Sequence, residues 1–348
     1  MAIDRATEGT GTQFSTGIPV ELQHEEEEGH LPAGTGPYKL AWRRLRRNRG
    51  ALFFGLIFVV IVVLCLLAPV YAHDIAHSGP NDEHITEQIK IGGKLTYVVS
   101  TIGLPIGPTW HSKFFLGADP NGRDEAVRLL YGGRNSLEVG AVATLITMIL
   151  SVIVGILAGY TRGWVDAILT RVLDIIWAYP VYILGVALGV SLALGGIGPL
   201  HGNSLLVPAF VIGFVYIPYV AKPVRGQVLG LREREFVDAA RVQGLSHLRI
   251  MAGEILPNLA STIIVFIPLI LANAILLEAG LSFLGAGVQP PNPSWGTMIS
   301  DGVHNIPAAF HLVLVPGLML VIAVLSINVF GDGVRDALDP RAKIRVSH

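Results

Sequence analysis

Residues 204–221 read SLLVPAFVIGFVYIPYVA, residues 235–257 read EFVDAARVQGLSHLRIMAGEILP, and residues 259–281 read LASTIIVFIPLILANAILLEAGL. Two apolar stretches about as long as a bilayer is thick flank a polar, amphipathic insert. That order places a helical element outside the lipid, between two spans. Within the insert stand paired alanines, a glycine four residues later and a Leu-Pro return to apolar sequence. Small residues allow close backbone approach and glycine allows a sharp turn. The insert therefore reads as a docking element gripped from outside the membrane.

Apolar runs of similar length recur at 51–71, 137–160, 176–195, 204–221, 259–281 and 311–330. The first carries no charge, and the fourth is the shortest and contains Pro208 and Pro218. Half of the 348 residues are apolar. An all-α membrane protein with six transmembrane helices is expected, and composition excludes a soluble domain.

A net charge of −1 conceals a strong asymmetry. With the N-terminus inside, the cytoplasmic stretches hold 19 of the 25 Lys and Arg residues and the external stretches hold 6. Positive charge beside a span resists translocation, so both termini are expected to be cytoplasmic. Arg43, Arg44, Arg46, Arg47 and Arg49 directly precede the first span. This basic cluster reads as a topology signal and not as a nucleic-acid site. About 50 mostly polar residues precede that run, so a secretory signal peptide is not expected. The one cysteine, Cys65, lies within it, which leaves no intrachain disulfide and no cysteine metal cluster.

Residues 1–37 are rich in Gly, Thr, Pro and Glu and are expected to form a disordered cytoplasmic tail. Residues 38–71 combine an interfacial helix, with Trp42 at headgroup level, and the first span. Residues 72–136 form an external loop, in which Leu95 to Ile102 suit a short strand or hairpin arm. Asp119, Arg123, Asp124, Arg128 and Arg134 read as a salt-bridged cap on the second span. Residues 137–341 form the five-helix core, and 342–348 a short tail. Gly155-x-x-x-Gly159 and Gly185-x-x-x-Gly189 suit close helix packing in lipid. Residues 161–174 are amphipathic and too charged for lipid, whereas the Gly/Pro-rich 282–296 stretch suits a loop near a pathway mouth.

No phosphate-binding G-x-x-x-x-G-K-[ST], G-x-S-x-G elbow or H-E-x-x-H helix occurs. Nothing in the sequence supports an enzyme, and no metal site is assigned; His73 and His77, four apart on an external loop, are the weak exception. Glu138 and Glu278 fall near the outer ends of spans, where a carboxylate reaches water or a backbone donor, and Asp174 falls at an inner edge. Asn273, with Pro268 before it, reads as a kink with a packing hydrogen bond. The absence of mid-span acids argues against proton coupling by a stand-alone secondary transporter or channel. Asn273, Glu278 and Trp295 are the candidates for a substrate pathway.

The helix expected from Arg234 to Val242 puts Phe236, Val237 and Ala240 on one side and Glu235, Asp238 and Arg241 on the other. Ala239 and Ala240 permit close approach, Gly244 ends the helix, and a second amphipathic turn, Leu248 to Ala252, leads to Pro257.

The chain resembles the permease subunits of ATP-binding cassette importers, specifically the dipeptide and oligopeptide permease family. That family's cytoplasmic signature reads E-A-A, three residues, G, nine residues, I-x-L-P. Asp238-Ala239-Ala240, Gly244 and Leu256-Pro257 fall at that spacing, with Asp238 for the Glu and Glu254 for the Ile. Leu116 to Asp124, Ser282 to Pro291 and Asn328 to Arg341 match three further family motifs. The resemblance implies the type I ABC importer permease fold and a coupling helix within 235–250. The coupling residues would be Glu235, Phe236, Asp238, Ala239, Ala240, Gly244, Leu256 and Pro257. It implies a homologous second permease, two cytoplasmic ABC ATPases that bind ATP and Mg²⁺, an external substrate-binding protein and the lipid bilayer as partners. No cofactor on this chain and no nucleic acid are implied. Peptides are the expected cargo, with nickel, glutathione or another small solute as the alternative.

Overall fold

The computed structural model describes residues 37–196, 198–200 and 202–339. Of the expected tails, 1–36 and 342–348 lie outside these residues, as does Arg341.

Helix α1 (Pro37–Leu45) lays Ala41 and Leu45 against Val334, Ala337 and Leu338 near the chain's end. Trp42 and most of the neighbouring arginines stay exposed. Asn48 then caps α2 (Arg49–Leu66) by accepting the Ala51 N–H at 3.0 Å. A short turn, Ala68–Val70, and a π-helical turn, Tyr71–Ala76, carry the chain into a small subdomain between the first two long helices.

That subdomain holds the one departure from an all-helical chain among the described residues. Strands β1 (Gln88–Ile91) and β2 (Lys94–Tyr97) pair antiparallel across Gly92–Gly93. Both glycines have positive φ, 56° and 86°, as a two-residue hairpin turn requires. The expected strand at 95–102 is thus set earlier, and Val98 and Val99 instead join Ile106, Phe114 and Ala118 in a separate small core.

Helix α3 (Glu125–Thr161) begins twelve residues before the expected second span. Asp124 starts it by accepting the N–H groups of Ala126 and Val127, and also that of Phe114 at 2.6 Å. Residues 125–136 are helical because Val127, Leu129 and Ser136 are buried, and Gly133 lies beneath Cys65 and Trp295. With 37 residues, α3 is roughly 55 Å long, well beyond the bilayer core.

The third run is not one straight span. Helix α4 (Gly163–Ala178) ends before Tyr179-Pro180, and α5 (Val181–Gly195) departs at 95°. Proline drives the preceding residue out of the helical region, and Tyr179 is extended, with φ −89° and ψ 139°. The fourth run is a milder pair, α6 (Leu206–Val215) and α7 (Ile217–Leu231), bent by 40° ahead of Pro218.

Helices α8 (Glu235–Val242) and α9 (His247–Ile250) follow, and a π-helical turn, Met251–Ile255, joins α9 to α10 (Leu256–Phe283). Pro257 has no N–H to donate, and the widened turn just before it accommodates that gap without ending the helix. Helix α11 (Trp295–Val303) was not expected; Ser294 and Thr297 form a reciprocal capping box at its start. Helix α12 (His311–Leu338) runs past the expected end of the sixth span.

Helices α2, α3, α12 and the continuous 247–283 segment are each long and apolar enough to cross a membrane. The number rises to six if each bent pair is one span. Helix α3 is the central post and packs most extensively on α7. A Cβ at Gly155 or Gly159 would lie 2.7 Å from Val224 or Val228 of α7, so only glycine permits this approach.

Candidate docking site

The polar insert folds as a compact unit at the end of the bundle where α3 and α7 finish and α10 begins. Val237 and Ala240 of α8 are buried against Val220, Val224 and Val228 of α7 and Ile156 and Tyr160 of α3. Ile250 and Ile255 extend the same apolar patch. Glu235, Asp238 and Ala239 point outward, while Arg241, also exposed, reaches back over the Tyr160 ring. Phe236 was expected with the inward residues but stands at the edge of the face, 37 % exposed. The two alanines split in the same way, Ala240 inward and Ala239 outward.

Gly244 closes α8 in a Schellman arrangement: its N–H donates to Arg241 O at 2.9 Å and that of Leu245 to Ala240 O at 3.1 Å. Its φ of +78° is the left-handed conformation that favours glycine. A Cβ there meets nothing within 4 Å, so strain and not crowding excludes other residues within this chain. The turn presents Val242 and Leu248, 88 % and 73 % exposed, on either side of Gly244. Leu256 and Pro257 are also exposed at the start of α10, and the Glu254 carbonyl accepts the Asn258 amide at 2.6 Å. Two aliphatic side chains held largely open on a polar helical unit form a contact surface with none of the described residues upon it.

Tyr160 and Arg232 join this unit without having been singled out by sequence. The Tyr160 hydroxyl lies 2.9 Å from His247 Nδ1, and Arg232 donates to the Tyr160 carbonyl at 2.6 Å. An aromatic in the last turn of an apolar helix carries no sequence signal separating it from a core residue.

The candidate pathway residues lie apart from this unit. Asn273 donates to Leu269 O at 2.7 Å, and its own carbonyl accepts from Tyr216 at 3.4 Å. Glu278 does not reach water; it is fully buried and accepts from Ser282 at 2.6 Å, and that hydroxyl in turn accepts the Val288 N–H. Trp295 is fully buried as well, donating its backbone N–H to Ser136 and its indole N–H to Leu129 O. Both side chains therefore face the interior of this chain, because the start of α11 packs against α3 and α10.

The charged group around the start of α3 divides. Asp119 pairs with Arg123 and lies 3.7 Å from Arg128, and both arginines approach Asp301 of α11, at 3.6 and 3.7 Å. Arg134 is exposed and outside this group. His77 Nδ1 contacts the His73 carbonyl at 2.8 Å, and no cluster of three potential metal ligands exists among the described residues.

The fold defines a helical protein with four to six segments long and apolar enough to cross a membrane. The chain belongs to the family described as the binding-protein-dependent transport system inner membrane component, whose model matches residues 151–344. The N-terminal TM domain of oligopeptide transport permease C matches residues 36–87. A putative peptide transport system permease protein of Brucella suis is 38% identical, over 89% of this chain and 94% of that protein. The dipeptide transport system permease protein DppC of Alkalihalophilus pseudofirmus is 35% identical, over 88% and 91%. The glutathione transport system permease protein GsiD of Pectobacterium atrosepticum is 32% identical, over 88% and 92%. The chain is accordingly a permease component of an ABC importer.

Proposed function

We propose that this chain is one of two homologous permease subunits of an ATP-driven importer for dipeptides or oligopeptides, and that it forms half of the translocation pathway. Each bent helix pair counts as one span, giving six, with both termini cytoplasmic on the side where the basic residues concentrate. Two cytoplasmic ATPases, which bind ATP and Mg²⁺, grip α8 and α9, and an external binding protein delivers cargo to the opposite face. Closure of the ATPase pair pushes this unit and tilts the bundle between inward and outward access. Glu278 and Trp295 serve the pathway by placing the outer loop and α11, and Asn273 lies nearer the moving helices.

The observation that carries this reading is the exposure of Val242 and Leu248 on a unit whose other face is fully seated. Peptide cargo is supported by the relatives whose names carry it. The test is reconstitution of the chain with its partner permease, ATPases and binding protein in vesicles. ATP-dependent uptake of tritiated dialanine is expected; uptake by this chain alone, driven by an ion gradient, would overturn the reading. The glutathione relative favours a second cargo, and calorimetry of the binding protein with dialanine and with glutathione separates the two.

A further inference from the structure

Tyr160 sits in the last turn of α3 and is 6 % exposed. Its hydroxyl meets His247 at the start of α9 at 2.9 Å, and the two rings meet edge to face, 5.7 Å between centroids. Arg241 of α8 places its guanidinium 5.9 Å from the centre of the same phenol ring. Arg232, just past α7, binds the Tyr160 carbonyl and leans on Glu233, which pairs with Arg162 at 2.8 Å.

Among the described residues, the side-chain hydrogen bonds and cation–π contacts of α8 and α9 to the rest of the bundle all end on Tyr160. Besides the continuous helical backbone from α9 into α10, the remaining contact is the apolar face of Val237, Ala240 and Ile250. Apolar contact is non-directional and tolerates sliding, whereas a hydrogen bond and a stacked cation fix direction. Helix α3 then runs its full length to the Asp124 cap at the other end.

We propose that Tyr160 is the positioning residue through which displacement of α8 and α9 turns α3. The inference rests on the coupling reading above and adds to it the point of transmission. Tyr160→Phe removes the hydroxyl and keeps the buried ring, and His247→Ala removes its exposed partner.

The test uses the complete importer in vesicles and reads tritiated dialanine accumulated per ATP hydrolysed. In parallel, Val242→Cys is crosslinked to the ATPase subunit to report whether the dock is intact. Tyr160→Phe is expected to keep the crosslink and the ATPase rate while transport per ATP falls roughly fivefold, the factor that one hydrogen bond represents. His247→Ala should do the same, and the double variant should fall no further than either single change. An unchanged ratio in both single variants, with the crosslink retained, overturns the proposal. So does a parallel fall in transport and hydrolysis that leaves the ratio constant, since that marks a merely structural role. If neither Val242→Cys nor Leu248→Cys forms a crosslink in the otherwise unsubstituted chain, the docking reading itself fails, and this inference with it.

Discussion

Asp166 on α4 accepts two hydrogen bonds from Arg225 on α7, at 2.6 and 2.7 Å. Asp174 and Lys222, 2.8 Å apart, form a second tie between the same helices, and Arg162 with Glu233 a third beside them. These pairs hold the charged helix that lies across the end of the 95° bend. Asp166→Asn should lower stability by about 1–2 kcal/mol, less than for a fully buried pair because both side chains retain some exposure. That corresponds to a melting shift on the order of 3 °C in detergent, read by intrinsic fluorescence. A double-mutant cycle with Arg225→Ala should show coupling, and strict additivity would mean the pair contributes nothing.

Gly155→Leu should be far more damaging than Gly226→Ala, although both positions are helical glycines. The first forces a side chain against Val224, at a cost of about 1–3 kcal/mol or more. The second meets nothing within 4 Å and gains helix propensity of roughly 1 kcal/mol. Yield of monodisperse protein after detergent extraction distinguishes them; equal yields would contradict the close approach of α3 and α7.

Much of the helical order was legible because a hydropathy window detects long apolar surface, and the 235–257 insert was legible because it interrupts that surface with a 3.6-residue period. What such a window cannot detect is helix continuing through polar residues that pack inward. Ser136 and Gly133 look like loop residues, yet α3 runs through them because Trp295 and Cys65 cover them. Pro180 offered a signal for the break after Tyr179, but its neighbours are apolar on both sides and mask it. Glu278 reads as a span end near water because nothing local announces that the start of α11 packs against Ala279 and Ser282 and buries it; Ser282, one turn on, satisfies one of its oxygens.

Burial lifts the Asp124 carboxyl above the usual aspartate range, against the backbone N–H groups of Phe114, Val127 and Ala126 and the nearby Lys113, which pull it down. The folded chain thus holds this proton more tightly than the unfolded chain. The stability contributed is fully present below the unfolded value of about 3.9 and is lost as pH rises through the raised folded value. Asp124→Asn removes the titration and keeps an oxygen for the cap, so its melting temperature should change less between about pH 4 and about pH 7 than that of the parent. Asp124→Ala loses the cap as well, costing about 1–2 kcal/mol across the range. A steeper profile in Asp124→Asn would reverse the assigned direction.

Gly244→Ala and Gly244→Trp both place a Cβ at φ +78°, a strain of about 1–2 kcal/mol. Because the position is open, both variants should insert and fold. They should part in the assembled importer: the alanine variant transports, whereas the indole stands where the ATPase docks and uncouples hydrolysis from uptake. Wild-type transport in Gly244→Trp would remove Gly244 from the contact.

The most direct measurement is thiol crosslinking from Val242→Cys and Leu248→Cys in native membranes, where the one natural thiol, Cys65, is buried and does not compete. The expected product joins either position to a nucleotide-hydrolysing subunit, and a membrane-impermeant maleimide reaches both positions only from the cytoplasmic side. Labelling from the outer side, or crosslinks that never contain such a subunit, would contradict the assignment of α8 and α9 as the point where transport is driven.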